Sequence, residues 1–342
     1  MKVYVEKKTC IINLESSRDN YQFRLHCGDF TNLISMDFSN GMNTSQELIC
    51  YGIPASILLF KSKIVMITVM ALNIFISITA TAGNLLVLVT IGRSPHLHSP
   101  SNTLLFGLAL SDLCVGLVSE PLTVSFQIVL FKNSSKITSC TLVNTLSLTS
   151  TFLTAVTLLT VTAMSVDRYL AIYLHLRYEQ LVTEKRARKV ILCLWFISSV
   201  PLVIMVFHSM TSYLVMTFAV TVCLIIITFA WIKIYQVVRH HQLQIQDQMA
   251  VASQSFNMAR FRNSAINTML VLVIVLVCYI PYLVSKICLI VNLNRFSVVF
   301  FEISLTLVLL NSSLNPLVYF WRQRELRAQA KQFVMRFCCQ TQ

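Results

Sequence analysis

Charge is what this chain has least of. Only 12% of its 342 residues are Asp, Glu, Lys or Arg, about half the fraction of an ordinary soluble domain. Hydrophobic residues make up 56%, and the mean hydropathy is +0.70. That balance excludes a soluble globular fold and reads as an integral membrane protein. Acids are the scarcer sign, 14 against 27 basic residues, for a formal net charge of +13. The excess invites a nucleic-acid reading, but the basic residues are scattered between apolar runs and no nucleic-acid motif accompanies them. They read instead as membrane-border anchors and contacts for anionic lipid.

Other absences narrow the function. The opening MKVYVEKKTCIINLES has charges within its first eight residues and no continuous apolar core before a small-residue cleavage site. No cleaved signal peptide is therefore expected, and the first span directs insertion. Neither HExxH nor Gly-x-Ser-x-Gly occurs, and His208, His240 and His241 lack ligand companions, so neither an enzyme nor a resident metal centre is expected. A transporter or channel would want paired, interrupted spans or a ring of charges, and the sequence has neither.

What is present is seven apolar runs long enough to cross a bilayer, at about 64–92, 101–130, 139–173, 186–207, 212–240, 258–291 and 297–321. Short linkers and the lack of an internal repeat make this an all-α membrane protein, one seven-transmembrane helix bundle. Three segments are expected: an extracellular N-terminal tail over 1–60, polar and without sustained periodicity; the bundle over 61–321; and a cytoplasmic amphipathic helix and tail over 322–342. Phe320 just before that last segment, and Leu326, Phe333 and Phe337 within it, alternate with basic residues, which suits a short helix on the membrane surface. Basic residues crowd the connections on the side of Arg93, Arg168 and Arg186, which places the N-terminus outside and the C-terminus inside a multi-pass cell-membrane protein.

Asn43 and Asn133 head glycosylation acceptors on the outer side, whereas Asn311-Ser312-Ser313 lies in an apolar run. Cys338 and Cys339, beside the surface helix, are candidates for palmitoylation, with unmodified thiols the plainer alternative. Eleven cysteines are spread irregularly. Cys114, Cys193, Cys223 and Cys278 read as packing residues. Cys10, Cys27, Cys50, Cys140 and Cys288 fall outside or near the outer surface, and spacing alone leaves their pairing open.

The chain is organised around Thr162 to Leu176. Asp167 and Arg168 close a run that holds no charge back to Cys140, which sets the ion pair where hydrocarbon gives way to water. On the same helix Ser147, Ser150, Thr154, Thr157, Val161, Ser165 and Arg168 recur every three or four residues as one stripe of mostly small and polar side chains. Such a stripe must face protein or water, so this helix is the centre of the bundle. Asp112 is buried deep in the second span, where an isolated ionised acid costs about 2.5–3.5 kcal/mol on the lenient insertion scale. Asn84, Thr157, Asn311 and Asn315 are its candidate partners. The cluster suits a cation site and hinge, the alternative being a static network that only holds helices together. Pro121, Pro281 and Pro316 each sit inside a span, where a missing N–H and a ring clash bend the helix.

Taken together these marks resemble a rhodopsin-like (class A) G-protein-coupled receptor. They are Gly83-Asn84 in the first span, LALSD ending at Asp112, Asp167-Arg168-Tyr169 closing the third, Trp195 in the fourth, Tyr235 in the fifth, Cys278-Tyr279-Ile280-Pro281 in the sixth and Asn315-Pro316-Leu317-Val318-Tyr319 in the seventh. The resemblance implies that an agonist swings the sixth helix outward about Pro281, opening a cytoplasmic cleft for a heterotrimeric G protein. Arg168 then meets the G protein, Tyr235 and Tyr319 turn in to support it, and Asp112 with Asn84, Asn311 and Asn315 forms a core sensitive to sodium, an allosteric ion. Arrestin is a further implied partner.

Departures from the family pattern point to a branch. Val143 stands where the outer end of the third helix usually carries a disulfide cysteine, the loop near His208 to Ser212 is very short, and Ile227 replaces the fifth-span proline. These features resemble the melanocortin, adenosine and cannabinoid branch, although Val143 and Ser147 stand where melanocortin receptors have two acids, and Ser150 where amine receptors have one. The ligand, a small molecule, lipid or peptide, is expected near Glu120, Ser147, Ser150 and Lys286, with Glu120 the leading candidate and Glu302 nearby. Tyr279 replaces the usual tryptophan. Phe261, between Arg260 and Arg262, replaces the acid that holds Arg168 at rest in many members, so appreciable basal signalling is expected.

Overall fold

The structure is a computed structural model that describes residues 2–5, 8–17, 20–27, 49–50, 53–54, 63–132, 136–174, 177–207, 209–247, 273–289, 291 and 295–340. It divides into two units, Met1–Gln46 and Glu47–Gln342. The first holds β1 (Lys2–Val5), β2 (Lys8–Ser17) and β3 (Asn20–Cys27), an antiparallel sheet in the order β1-β2-β3. Cys10 lies opposite Cys27, and Ser17 opposite Asn20. This differs from the expectation of a tail without regular structure. The signal was a short period of two in β3, where Tyr21, Phe23, Leu25 and Cys27 alternate with Gln22, Arg24 and His26.

In the second unit a small ladder pairs β4 (Ile49–Cys50) with β5 (Ile53–Pro54), and the rest is helical. The helices are α1 (Lys63–Arg93), α2 (Pro100–Phe131), α3 (Lys136–Leu174), α4 (Glu184–Ser198, resuming over Val200–Phe207), α5 (Ser209–Asp247), α6 (Val273–Leu289), α7 (Arg295–Arg322) and α8 (Arg324–Gln340). Six of them are long and apolar enough to cross a membrane, and α6 adds a shorter apolar helix. The protein is thus a seven-helix membrane bundle with a further helix after the last span. Residues 258–272, expected at the start of the sixth span, lie outside the described residues, and Phe261 with them.

Local chemistry sets the helix ends. Ser99 caps α2 by accepting the Asn102 N–H at 3.2 Å, and Pro100 occupies the first turn, where a missing N–H costs nothing. Thr183 caps α4 in the same way, with Glu184 in the first turn against the positive end of the helix dipole. Outward faces carry exposed Phe75, Phe196, Phe218 and Leu317, the apolar coat that a lipid solvent requires. Inward faces of α1, α2, α3, α5, α6 and α7 meet in one cluster that includes Val87, Leu105, Leu108, Val161, Ile227, Val275, Tyr279 and Tyr319.

Two close approaches fix the geometry around the polar core. A β-carbon added to Gly83 would lie 2.9 Å from that of Pro316, so α1 meets the seventh-helix proline at a glycine's width. In α2, Val115–Ser119 forms a π turn, with the Glu120 N–H bonded to the Val115 carbonyl. Pro121 explains it: its ring displaces the carbonyl of Leu117 and removes a donor, and one wider turn absorbs both effects. Gly116 in that turn faces Thr81, whose backbone N would sit 2.9 Å from an added β-carbon, and Ser77 Oγ donates to the Gly116 carbonyl at 2.8 Å.

Candidate functional site

At one end of α3, Asp167 is a buried junction. Its Oδ2 accepts from Arg168 Nη2 at 2.9 Å and from Ser101 Oγ at 2.9 Å, and its Oδ1 accepts from Tyr178 Oη at 2.6 Å. One carboxylate therefore ties the start of α2, the end of α3 and the helical turn Tyr178–Leu181. Burial, and then the bond to Asp167, push the Tyr178 hydroxyl up to about 12. It stays a proton donor throughout the physiological range. Tyr169 stacks on Tyr173.

Midway along the bundle, Asp112 is fully buried and both its oxygens are used. Ser312 Oγ donates to Oδ1 at 2.8 Å and Asn315 Nδ2 to Oδ2 at 2.8 Å. Thr157, an expected partner, donates to Ser111 Oγ at 3.2 Å and also lies among the side chains that hydrogen-bond Asp112. Asn84 spends its amide on the Ala80 and Ser312 carbonyls. Asn311 is buried, and neither of its side-chain polar atoms has a partner among the described residues. Ser312 was missed: it lies one turn before Asn315, and the rotation of α7 turns that face to Asp112. The side-chain oxygens of Asn84, Asn311 and Asn315 are buried without donors among the described residues. Hard oxygens beside a carboxylate are what a sodium ion takes, so this donor set fits one.

Toward the other end lies a cavity of about 130 Å³ walled by α2, α3, α5, α6 and α7. Thr123, Gln127, Ser147, Ser150 and Thr154 line one side, and Tyr282, Lys286, Phe301, Glu302 and Thr306 the other. Lys286 Nζ sits 5.4 Å from the Tyr282 ring centre and 5.0 Å from that of Phe301, both cation–π distances.

Residues 83–213 match the family described as 7 transmembrane receptor (rhodopsin family). Over that stretch the chain is similar to the rhodopsin-like receptors. Relatives include Melanocortin receptor 5 of Mus musculus, 28% identical over 277 residues, or 75% of this chain and 80% of that protein. Melanocortin receptor 4 of Danio rerio is 28% identical over 274 residues, 75% and 79% of the two chains. Adenosine receptor A2b of Rattus norvegicus is 37% identical over 130 residues, 37% of each. These similarities, with the apolar helices, support a multi-pass membrane receptor of signal transduction, and the matched family is one of receptors.

Within the bundle the structure rearranges several expected site residues. Glu120, the leading ligand candidate, does not line the cavity: it is fully buried, and neither carboxylate oxygen has a hydrogen-bond partner among the described residues. Ser119, one position earlier, is the residue that meets the cavity-lining Ser150, at 2.9 Å. Tyr235 is exposed and stacks on Trp231, while Tyr319 is buried and its hydroxyl has no partner among the described residues. Cys278 and Tyr279 are buried in the central cluster, with Pro281 partly buried a turn away. Cys114, Cys193, Cys223, Cys278 and Cys288 are free thiols. Asn43 and Asn133 lie outside the described residues, and for Cys338 and Cys339 only the backbone of α8 is described.

Proposed function

We propose that this receptor passes an extracellular ligand's signal to a heterotrimeric G protein, with the N-terminus outside and the C-terminus in the cytoplasm. The observation that carries the reading is one of alignment. Along α3 the cavity wall at Ser147 and Ser150, the polar core at Thr157 and the junction at Asp167 follow one another on a single rod. A ligand that shifts α6 or α7 at the cavity also changes what surrounds Asp112, because Ser312 and Asn315 on α7 are its partners.

In this mechanism Asp167 holds Arg168 while Ser101 and Tyr178 hold Asp167, and outward movement of α6 frees Arg168 for the G protein. Tyr235 and Tyr319 then turn toward it, a rearrangement from the positions described above. Asp112 with the side-chain oxygens of Asn84, Asn311 and Asn315 would hold a sodium ion, whose positive charge would favour the closed packing. Arrestin reads the same cytoplasmic face after activation. Val143 and Ser147 leave the cavity without the acid pair that melanocortin receptors carry there. Its charged groups are Lys286 and Glu302, so the ligand is apolar in body with a polar or charged group that these two meet. Asn43 and Asn133 carry glycans outside, and Cys338 and Cys339 carry palmitate inside.

The test is second-messenger output from ligand-free cells at rising receptor density, read together with a panel of G-protein dissociation sensors. Output should climb with density and vanish in Arg168→Ala. A flat response equal to that control, with no sensor answering a broad ligand screen, overturns the reading.

A further inference from the structure

A separate unit as small as Met1–Gln46 has little apolar surface to bury, and units of that size commonly need a covalent staple beside their core. The register of its sheet supplies one. β2 and β3 run antiparallel from Ser17 opposite Asn20 to the far end of the hairpin, where Cys10 stands directly opposite Cys27. Val3 of β1 pairs with Cys10 at the same level, so all three strands meet there. Opposed residues share a face of a sheet. Ile12, Leu14, Phe23 and Leu25 fall on the face of the two cysteines, while Asn13, Glu15, Gln22, Arg24 and His26 fall on the other.

We propose that a disulfide joins Cys10 to Cys27 and locks the open end of the β2–β3 hairpin. Distance permits it. Directly opposed residues of an antiparallel pair have α-carbons about 4.5–5.5 Å apart, inside the range of about 4.4–6.8 Å that a disulfide spans. The other outward cysteines do not compete for this pair. Cys288 is a free thiol, and Cys50 lies on β4, which packs against α3, the helix that carries Cys140. Closure is a thiol–disulfide exchange with an oxidoreductase of the secretory lumen. One cysteine thiolate opens that enzyme's disulfide, the second displaces it, and the two protons and two electrons leave with the enzyme's dithiol.

The inference rests on reading the N-terminus as outside, so its test reads topology and pairing from one digest. The full receptor is alkylated under non-reducing conditions, deglycosylated, and cut with trypsin and Asp-N. These cut after Lys8, Arg18 and Arg24 and before Asp29 and Asp37, which separates Cys10, Cys27 and Cys50 into different peptides. Mass spectrometry should find Thr9–Arg18 joined to Leu25–Gly28, falling apart on reduction, from a receptor that runs as a monomer on a non-reducing gel. Cys10→Ser should lose the joined form and leave Cys27 alkylated, and Cys27→Ser should do the reverse. Enzymatic removal of a glycan turns Asn43 into an aspartate, and that mass change reports that the segment was outside.

Alkylated Cys10 and Cys27 in the wild-type receptor overturn the proposal, as does a link from either of them to Cys50, Cys140, Cys288 or a second receptor molecule. The mass of the Asn43 peptide then tells which reading fell. With the glycan present, the N-terminus is outside and only the pairing is wrong. With the glycan absent and both thiols alkylated, the outside reading falls and takes the pairing with it.

Discussion

Two acids are buried on one helix, and they are treated in opposite ways. Asp112 and Glu120 are both wholly inaccessible on α2, with the π turn between them. Asp112 has a donor for each oxygen, both from α7, and Glu120 has none among the described residues. The difference teaches that burial alone does not identify a site. A satisfied acid fixes two helices in register, while an unsatisfied one stores a cost that the rest of the fold must carry.

The comparison can be broken most forcefully at Asp112. Asp112→Ala strands Ser312 Oγ and Asn315 Nδ2, each worth about 1–3 kcal/mol, and thermal unfolding in detergent should show the largest fall of any variant considered. Next comes Asp167, a third acid whose partners are known. Tyr178→Phe removes a donor to a charged acceptor, worth about 1.5–3 kcal/mol, and basal second-messenger output should rise above wild type. An unchanged output would show that Tyr178 does not restrain the resting state. Glu120→Leu should act with the opposite sign to Asp112→Ala. Deleting an unpaired buried acid recovers part of the about 1–3 kcal/mol that an unsatisfied group costs, so the unfolding midpoint rises. A midpoint as low as that of Asp112→Ala would mean Glu120 has a stabilising role that the geometry does not reveal. Smallest is Ser119→Ala, which removes one neutral bond to Ser150 and should cost about 0.5–1.5 kcal/mol in the same assay.

How much of this the residues alone foretold differs by scale. Seven spans were legible because hydrocarbon demands long apolar runs, and α8 because its apolar residues recur at helical spacing between charges. The pairing of Asp112 with Asn315 was legible too, since a lone acid in a span must find a polar neighbour. Ser312 was not singled out, because three consecutive polar residues, Asn311, Ser312 and Ser313, all lie near the right depth and only the rotation of α7 selects among them. Glu120 was misplaced for a related reason. Counting turns along an ideal helix from Asp112 takes no account of the π turn, whose extra residue offsets the phase by about 100°. The sheet in Met1–Gln46 was overlooked because its alternation is confined to a few residues of β3.

The narrow contact between Gly83 and Pro316 has a mechanical consequence. Beside it Asn84 grips the Ser312 carbonyl, Thr79 Oγ1 bonds Ser313 Oγ at 3.0 Å and Ser313 Oγ bonds the Ile76 carbonyl at 2.9 Å. The first helix thus works as a rail for the seventh, letting it twist about its own axis while denying it room to lean away. Motion arriving at the proline is steered toward the middle of the protein, and little of it leaks into the surrounding oil.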